Sequence, residues 1–361
     1  MLYHLLYPLK TVFSGFNLFR YITFRATYAL ITSLLISFLI GKSFIRFLKR
    51  MGFGEKVKED VPERHRSKEG TPSMGGLIIM IPAFISIFLW ARLDNLYIYL
   101  FAISIFLFSG LGFIDDYLKI RRIKKKGLKI RVKFLGEIIV SLIVLIIYWF
   151  LIKNEHKSEI YVPFIYHSIL DLGAFYIIFG LLILLGSSNA VNLTDGLDGL
   201  AIGCSLLTIS AFTLLAYLSG HIKIANYLKI PYIVGSGELT VLGGAFIGAS
   251  IGFLWYNTHP AEVFMGDTGA LGLGGLIGLF AIVLKKEVLL PIIGGIFVIE
   301  AFSVIIQVLS FRLTGKRVFK MAPLHHHFEL LGYPESKIVA RFLIVSLIFT
   351  LIGLSIELKI R

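Results

Sequence analysis

The chain is dominated by apolar runs about as long as a bilayer is thick. A helix needs roughly 20 apolar residues to cross the hydrocarbon core. About ten such stretches follow one another, over residues 24–45, 75–91, 96–115, 133–152, 171–187, 196–219, 239–256, 268–284, 288–311 and 338–357. Backbone polar groups in lipid must be satisfied within the protein, which leaves helices or closed barrels, and runs this long are helical. The expected fold class is therefore an all-α polytopic membrane protein of about ten transmembrane helices. With 57% hydrophobic and 16% charged residues among 361, no soluble class fits. The even spread of the runs predicts one membrane-embedded domain over residues 1–361, with an interfacial segment at 1–22 rich in Tyr and Phe. That segment lacks the basic stretch and small-residue cleavage site of a signal peptide. Residues 159–170, with Pro163 and His167, are expected to form an external loop or re-entrant piece. Pro291, Gly294 and Gly295 predict a kink or break in the ninth span.

The net charge of +14 sits in loops. Residues 42–68 and 117–133 carry nine Lys/Arg each and 312–337 carry five, so three loops hold 23 of the 36 basic residues. They alternate across even numbers of spans, so the positive-inside rule makes them cytoplasmic and places both termini outside. The polar segments at 188–195 and 257–267 then share that cytoplasmic face. Topology and anionic partners explain this charge without nucleic acid. Cys204 is the only cysteine, which excludes an intrachain disulfide and argues against a Cys-based metal site.

Polar motifs cluster on that one face. GFIDDYLK closes the third span with Asp115 and Asp116. Neighbours on a helix point about 100° apart, so the pair is expected to serve two roles rather than one shared ligand. Acid at a helix C-terminus also opposes the macrodipole. NAVNLTDGLDG is placed at the opening of the sixth span, with Thr194 as a candidate cap, Asp195 in the first turn, and Asn192, Asp195 and Asp198 roughly along one helix face. Capping accounts for one acid there but not for Asn192 and Asp198 as well. FMGDTGALGLGG opens the eighth span, where Asp267 could be a cap; Asn257 and Phe264 nearby offer an amide and an aromatic face suited to a planar ring such as a nucleobase.

MAPLHHHFE holds His325, His326 and His327 in the last cytoplasmic loop. Three consecutive His cannot easily ligate one ion, so phosphate contact or a pH-responsive donor is the more natural use. Lys68 and the TPSMGG segment with Ser73 could hold phosphate, and Lys119 and Lys133 bracket the basic loop. Glu300 lies about 16 Å from the end of its span, an intramembrane acid that is either functional or a buried partner. Gln307 lies nearer the cytoplasm. Five acids in three loops, without Cys, suit Mg²⁺ rather than zinc. Mg²⁺ commonly bridges carboxylates to phosphates, so an enzyme joining a nucleotide diphosphate compound to a lipid phosphate is the expected class.

The order KEGTPSMGG, GFIDDYLK, NAVNLTDGLDG, PAEVFMGDTG, MAPLHHHFE resembles the phospho-N-acetylmuramoyl-pentapeptide transferases, within the polyprenyl-phosphate N-acetylhexosamine-1-phosphate transferase superfamily. The resemblance spans essentially the whole chain, and TPSMGG and HHHFE favour this branch over its GlcNAc-1-phosphate relatives. It implies Mg²⁺-dependent transfer of phospho-MurNAc-pentapeptide from UDP-MurNAc-pentapeptide to undecaprenyl phosphate, giving lipid I and UMP in peptidoglycan synthesis. It further implies a multi-pass protein of the bacterial inner membrane and a homodimer. Carried onto matching positions, Asp115, Asp116, Asp267 and His325 are catalytic, with Asp267 the Mg²⁺ ligand. Lys68, Ser73, Lys119, Lys133, Asn192, Asp195, Asp198, Asn257, Phe264, Gln307, His326 and His327 are substrate-site positions. Ser73 stands where Thr is usual and Ala270 where Ser is usual.

Two alternatives compete, one within the class and one outside it. A UDP-GlcNAc-using relative differs only in donor. An ion-coupled transporter would suit Glu300 and the broken ninth span, but the acids gather at one face rather than the midplane, and no inverted repeat is visible.

Overall fold

The computed structural model describes residues 1–51, 70–120, 127–152, 157–163, 165 and 168–358. Among these residues fourteen α-helices follow in order: α1 Leu2–Leu6, α2 Ile22–Arg50, α3 Gly76–Trp90, α4 Leu96–Ile120, α5 Ile130–Leu151, α6 Tyr176–Thr194, α7 Leu200–Ser219, α8 Ile222–Leu228, α9 Leu239–Asn257, α10 Gly266–Val283, α11 Leu290–Ile293, α12 Gly295–Thr314, α13 Leu324–Leu330 and α14 Glu335–Glu357. Among the described residues, nine helices are long and apolar enough to cross a membrane, and α3, with 15 residues, is a shorter apolar one. Each predicted run coincides with one of these ten helices, the ninth being divided. The break falls at Gly294, between α11 and α12.

The helices differ sharply in what surrounds them. All but one residue of α10 is buried, whereas α2, α12 and α14 turn most of their length outward. Large apolar side chains on the outside, such as Leu39, Phe106, Phe150 and Trp255, are over two-thirds exposed, as lipid-facing residues are. Helices cannot gain much hydrophobic energy from each other in lipid, so close packing through small residues holds them together. A Cβ on Gly76 of α3 would come 2.2 Å from the backbone nitrogen of Gly269 on α10. A Cβ on Gly112 of α4 would come 2.2 Å from the carbonyl oxygen of Asp267. These two contacts press the start of α10 against α3 and α4.

In the segment expected to form an external loop or re-entrant piece, Glu159–Ile160 pairs antiparallel with Leu170–Asp171, and His167 lies outside the described residues. The N-terminal segment folds into short helical turns anchored by the Met1 amino group on the Phe88 carbonyl at 2.7 Å. Beneath it Arg25 of α2 is buried in a bidentate pair with Glu238, at 2.7 and 2.5 Å.

At the far end of α10, about 27 Å from its start, lies the buried sequence Lys285–Glu287. Lys285 pairs with Glu287 at 2.8 Å, Tyr176 donates to Glu287, and Lys286 pairs with Glu357. Burial holds the Lys285 ammonium below its ordinary pKa, against the pull of Glu287.

Candidate active site

The start of α10 is the centre of the site. Gly266 adopts φ +72°, and a Cβ there would come 2.6 Å from Asp116 Oδ2 and 2.8 Å from Ser73 Oγ. Only a glycine allows this approach without strain. The first N–H groups of a helix have no partner within the helix. Here Asp116 of α4 supplies one: its carboxylate accepts from the Asp267 N–H at 3.2 Å, the Thr268 N–H at 2.9 Å and the Thr268 hydroxyl at 2.7 Å. Asp267 is thus not the cap of its own helix; the cap comes from a different helix.

With its backbone fixed, Asp267 turns its carboxylate to the cations. Lys119 Nζ lies 2.7 Å and Lys133 Nζ 2.8 Å from Oδ2. With its amide oriented to satisfy both neighbours, Asn192 donates to Asp267 Oδ1 at 2.8 Å and accepts from Lys133 Nζ at 3.0 Å. Lys119 also reaches Asp115 at 2.7 Å and Asp116 at 3.9 Å. Asp115 accepts from the Leu128 N–H at 2.6 Å and shares Lys119 with Asp267, 2.7 Å from each carboxylate. Asp115 and Asp116 are both 2% exposed and Asp267 is 8%. Carboxylates this close need positive charge or a proton among them, and Lys119 sits where all three can see it. The set of hard oxygens, free of Cys and His, has the chemistry of a hard divalent-cation and phosphate site. The two neighbouring acids face different partners, Asp116 the start of α10 and Asp115 the Leu128 N–H and Lys119.

The Asn189–Gly199 motif is divided differently from its expected place. It closes α6, and α7 begins only at Leu200 after a left-handed Gly199 at φ +81°. Thr194 does not cap: its hydroxyl donates back to the Ala190 carbonyl at 2.8 Å. Asn192 lies in the last turn of α6 and Asp195 just beyond it, so Asn192, Asp195 and Asp198 do not share a helix face. α6 stops at Asp195, whose backbone is not helical at φ -79° and ψ 57°, and the left-handed Gly199 delays the start of α7 to Leu200. Asn192 therefore reaches Asp267, while Asp198 faces elsewhere. Its Oδ2 is 3.1 Å from His259 Nδ1 and accepts from the Ala261 N–H at 3.1 Å. Glu335, in the first turn of α14, accepts from the Asp198 N–H at 2.7 Å and lies 3.5 Å from His259. Ligand atoms of Asp198, His259 and Glu335 all fall within 4.8 Å of one another.

Asn257 ties this wall to the acidic centre, accepting from the Gly199 N–H at 3.0 Å and donating to the Val263 carbonyl at 2.9 Å. Phe264 follows. Its N–H donates to the Pro72 carbonyl and its own carbonyl accepts from the Gly75 N–H, both at 2.8 Å. The TPSMGG segment is thereby laced to the strip leading into α10, with Ser73 beside Gly266. Lys68 lies outside the described residues. Ala270 is fully buried in α10.

The three histidines turn three ways. His325 is fully buried, with Nδ1 3.3 Å from Glu300 Oε2 and Nε2 packed where a Cβ on Gly196 would come to 2.2 Å. His326 Nδ1 is 2.6 Å from Glu329. His327 Nδ1 accepts from the Lys320 N–H at 3.1 Å. Glu300 also accepts from the Leu324 N–H at 2.8 Å, so the intramembrane acid anchors the start of the histidine helix. Gln307 tethers the preceding loop, accepting from the Val318 and Phe319 N–H groups and donating to the Phe319 carbonyl.

Four participants escaped the sequence reading. Glu137, 1% exposed, accepts from Asn189 at the end of α6. A lone acid within the fourth apolar run was a usable signal, the same one that singles out Glu300. His259, Thr268 and Glu335 carried no comparable signal.

The fold is that of a multi-pass helical membrane protein with an acid-and-lysine site at one helix start, and its relatives give the class. The family model for Glycosyl transferase family 4 matches residues 97–285, and the Phospho-N-acetylmuramoyl-pentapeptide-transferase signature 1 matches residues 68–80. The chain is 50% identical over 362 residues to the phospho-N-acetylmuramoyl-pentapeptide-transferase of Syntrophus aciditrophicus, covering 100% of both chains. It is likewise 50% identical to those of Oleidesulfovibrio alaskensis, over 363 residues, and Desulforapulum autotrophicum, over 362, again covering 100% of each. The chain belongs to the phospho-N-acetylmuramoyl-pentapeptide-transferase family, and is thus a phospho-sugar transferase of peptidoglycan biosynthesis.

Proposed function

We propose that the protein transfers phospho-MurNAc-pentapeptide from UDP-MurNAc-pentapeptide to undecaprenyl phosphate, with Mg²⁺, forming lipid I and releasing UMP. The reaction takes place at the cytoplasmic face of the bacterial inner membrane, in a bundle of ten spans with both termini outside. A homodimer belongs to the same proposal and is checked by the mass of the detergent-extracted particle. The single observation behind the reading is the convergence of Asp115, Asp267, Lys119, Lys133 and Asn192 at the start of α10.

Transfer between two anionic substrates is chiefly a matter of neutralising charge and aligning atoms. An oxygen of the lipid phosphate attacks the β-phosphorus of the donor. The new P–O bond forms as the bridging bond to the α-phosphate breaks, and UMP leaves with the bonding pair. Lys119 and Lys133 hold the diphosphate while keeping Asp267 aimed, and Asn192 orients both Asp267 and Lys133. Asp115 takes the proton of the lipid phosphate or orients its attacking oxygen. Asp116 stays a cap, since three donors already occupy its carboxylate. Phe264 stacks on uracil, and Asp198, held by His259 and Glu335, walls the nucleotide. Mg²⁺, held by Asp267 with Asp115 adjacent, would neutralise charge developing on the diphosphate and the departing UMP.

The test is UMP release by purified protein offered UDP-MurNAc-pentapeptide or UDP-GlcNAc, each with and without undecaprenyl phosphate. Release only with the muramoyl donor and the lipid phosphate together is expected. Equal use of UDP-GlcNAc would move the protein to the relative with that donor, and no release would remove it from the transferases.

A further inference from the structure

On another side of the histidine helix lies an apolar groove of about 260 Å³ between α12, α13 and α14. Ile299 of α12, Phe328 of α13 and Ile338, Phe342 and Val345 of α14 line it. At its rim Tyr333 carries two cations against its ring, Arg341 with its guanidinium carbon 5.1 Å and Lys337 with Nζ 5.8 Å from the centroid. Both cations are exposed, and among the described residues neither has an acidic partner within 4 Å. Arg341 lies six residues, about 9 Å, into α14. That helix begins at Glu335 beside Asp198, so the rim belongs to the same end of the bundle as the acidic site.

We propose that this groove seats an anionic glycerophospholipid, with one acyl chain among the apolar side chains and the phosphodiester against Arg341 and Lys337. Basic pockets between spans at the cytoplasmic interface bind such headgroups. Two exposed cations without an acidic partner among the described residues, above an apolar slot, match an amphiphile with negative charge at one end. The carrier polyprenyl phosphate is the other source of that chemistry, but its phosphate has to reach Asp115 and Asp267, and neither α4 nor α10 lines the groove. The occupant touches catalysis indirectly. Leu324 and Phe328 are part of the groove wall, and they flank the three histidines on α13. A lipid there steadies the helix whose other anchor is Glu300.

Native mass spectrometry of the full chain, released from detergent with phosphatidylglycerol or phosphatidylcholine of matched acyl chains, reads the seat without relying on activity. Preferential retention of phosphatidylglycerol is expected. The preference should fall about fivefold for each cation removed in Lys337→Gln and Arg341→Gln, both solvent-exposed changes with an unchanged melting temperature. Val345→Trp, which fills the groove, should abolish retention of either lipid at this seat. Equal retention of the two lipids by the wild type, or a preference untouched in the double Gln variant, would overturn the proposal. Displacement of bound phosphatidylglycerol by one equivalent of undecaprenyl phosphate would also overturn it, assigning the groove to the carrier.

Discussion

Asp116 on α4 caps α10: its Oδ2 accepts from both the N–H and the hydroxyl of Thr268, at 2.9 and 2.7 Å. An acid from one helix thereby fixes the backbone that presents Asp267 from another. Asp116→Ala would leave buried donors at the start of α10 without an acceptor, costing about 1–3 kcal/mol for each group left unpaired. The expected result is a lower unfolding temperature in detergent together with lost turnover, and a partial recovery of both in Asp116→Asn, which keeps one acceptor oxygen. An Ala variant that melts with the wild type would rule out the capping role.

Lys133 bonds both Asp267 and Asn192 and stands within reach of a diphosphate placed at Asp267. A hydrogen bond to a charged group contributes about 1.5–3 kcal/mol. Lys133→Ala is therefore expected to raise KM for the UDP-linked donor roughly tenfold or more. Steady-state kinetics at saturating lipid phosphate measure this directly, and an unchanged KM would take Lys133 out of the substrate site.

Glu300 and His325 form a buried contact that hangs the histidine helix from α12. Glu300→Ala removes the acceptor of the Leu324 N–H and leaves His325 without its acid. Stability should drop by about 1–3 kcal/mol, with kcat reduced more than KM because its contacts are to His325 and the Leu324 N–H, which position the histidine helix. Glu300→Gln, which retains an oxygen for Leu324, should restore most of the stability. A change confined to KM in either variant would instead place Glu300 at a substrate.

Much of this architecture could be read from the chain. Membrane thickness dictates span length, so ten apolar runs located ten helices, and Pro291 with Gly294 and Gly295 located the break. The convergence of Asp115, Asp267, Lys119 and Lys133 followed from motifs crowding one face. Hydrophobicity says which stretch is buried but nothing about which helix donates to which. Hence the cap supplied by Asp116 to Thr268, the Glu137–Asn189 contact and the Glu335–Asp198 tether were invisible beforehand. The misplaced start of α7 has a local cause: Thr-Asp after an apolar run resembles an N-cap, and the left-handed Gly199 outweighs it.

Direct attack by the lipid phosphate makes a kinetic prediction of its own. Without lipid phosphate, no covalent intermediate forms, so labelled UMP should not exchange into UDP-MurNAc-pentapeptide. Exchange at a rate near turnover would require a carboxylate nucleophile, Asp115 or Asp267, and a two-step route.

The most direct test of the proposed centre is UMP release by wild type and Asp267→Asn, compared at equal Mg²⁺ on proteins with matching unfolding curves. The wild type should need Mg²⁺ and stop when it is chelated. The variant should turn over at least about a hundredfold more slowly, the loss typical of removing one transition-state contact, and extra Mg²⁺ should restore little. Turnover of the folded variant at the wild-type rate would contradict the assignment of Asp267 and of the site built around it.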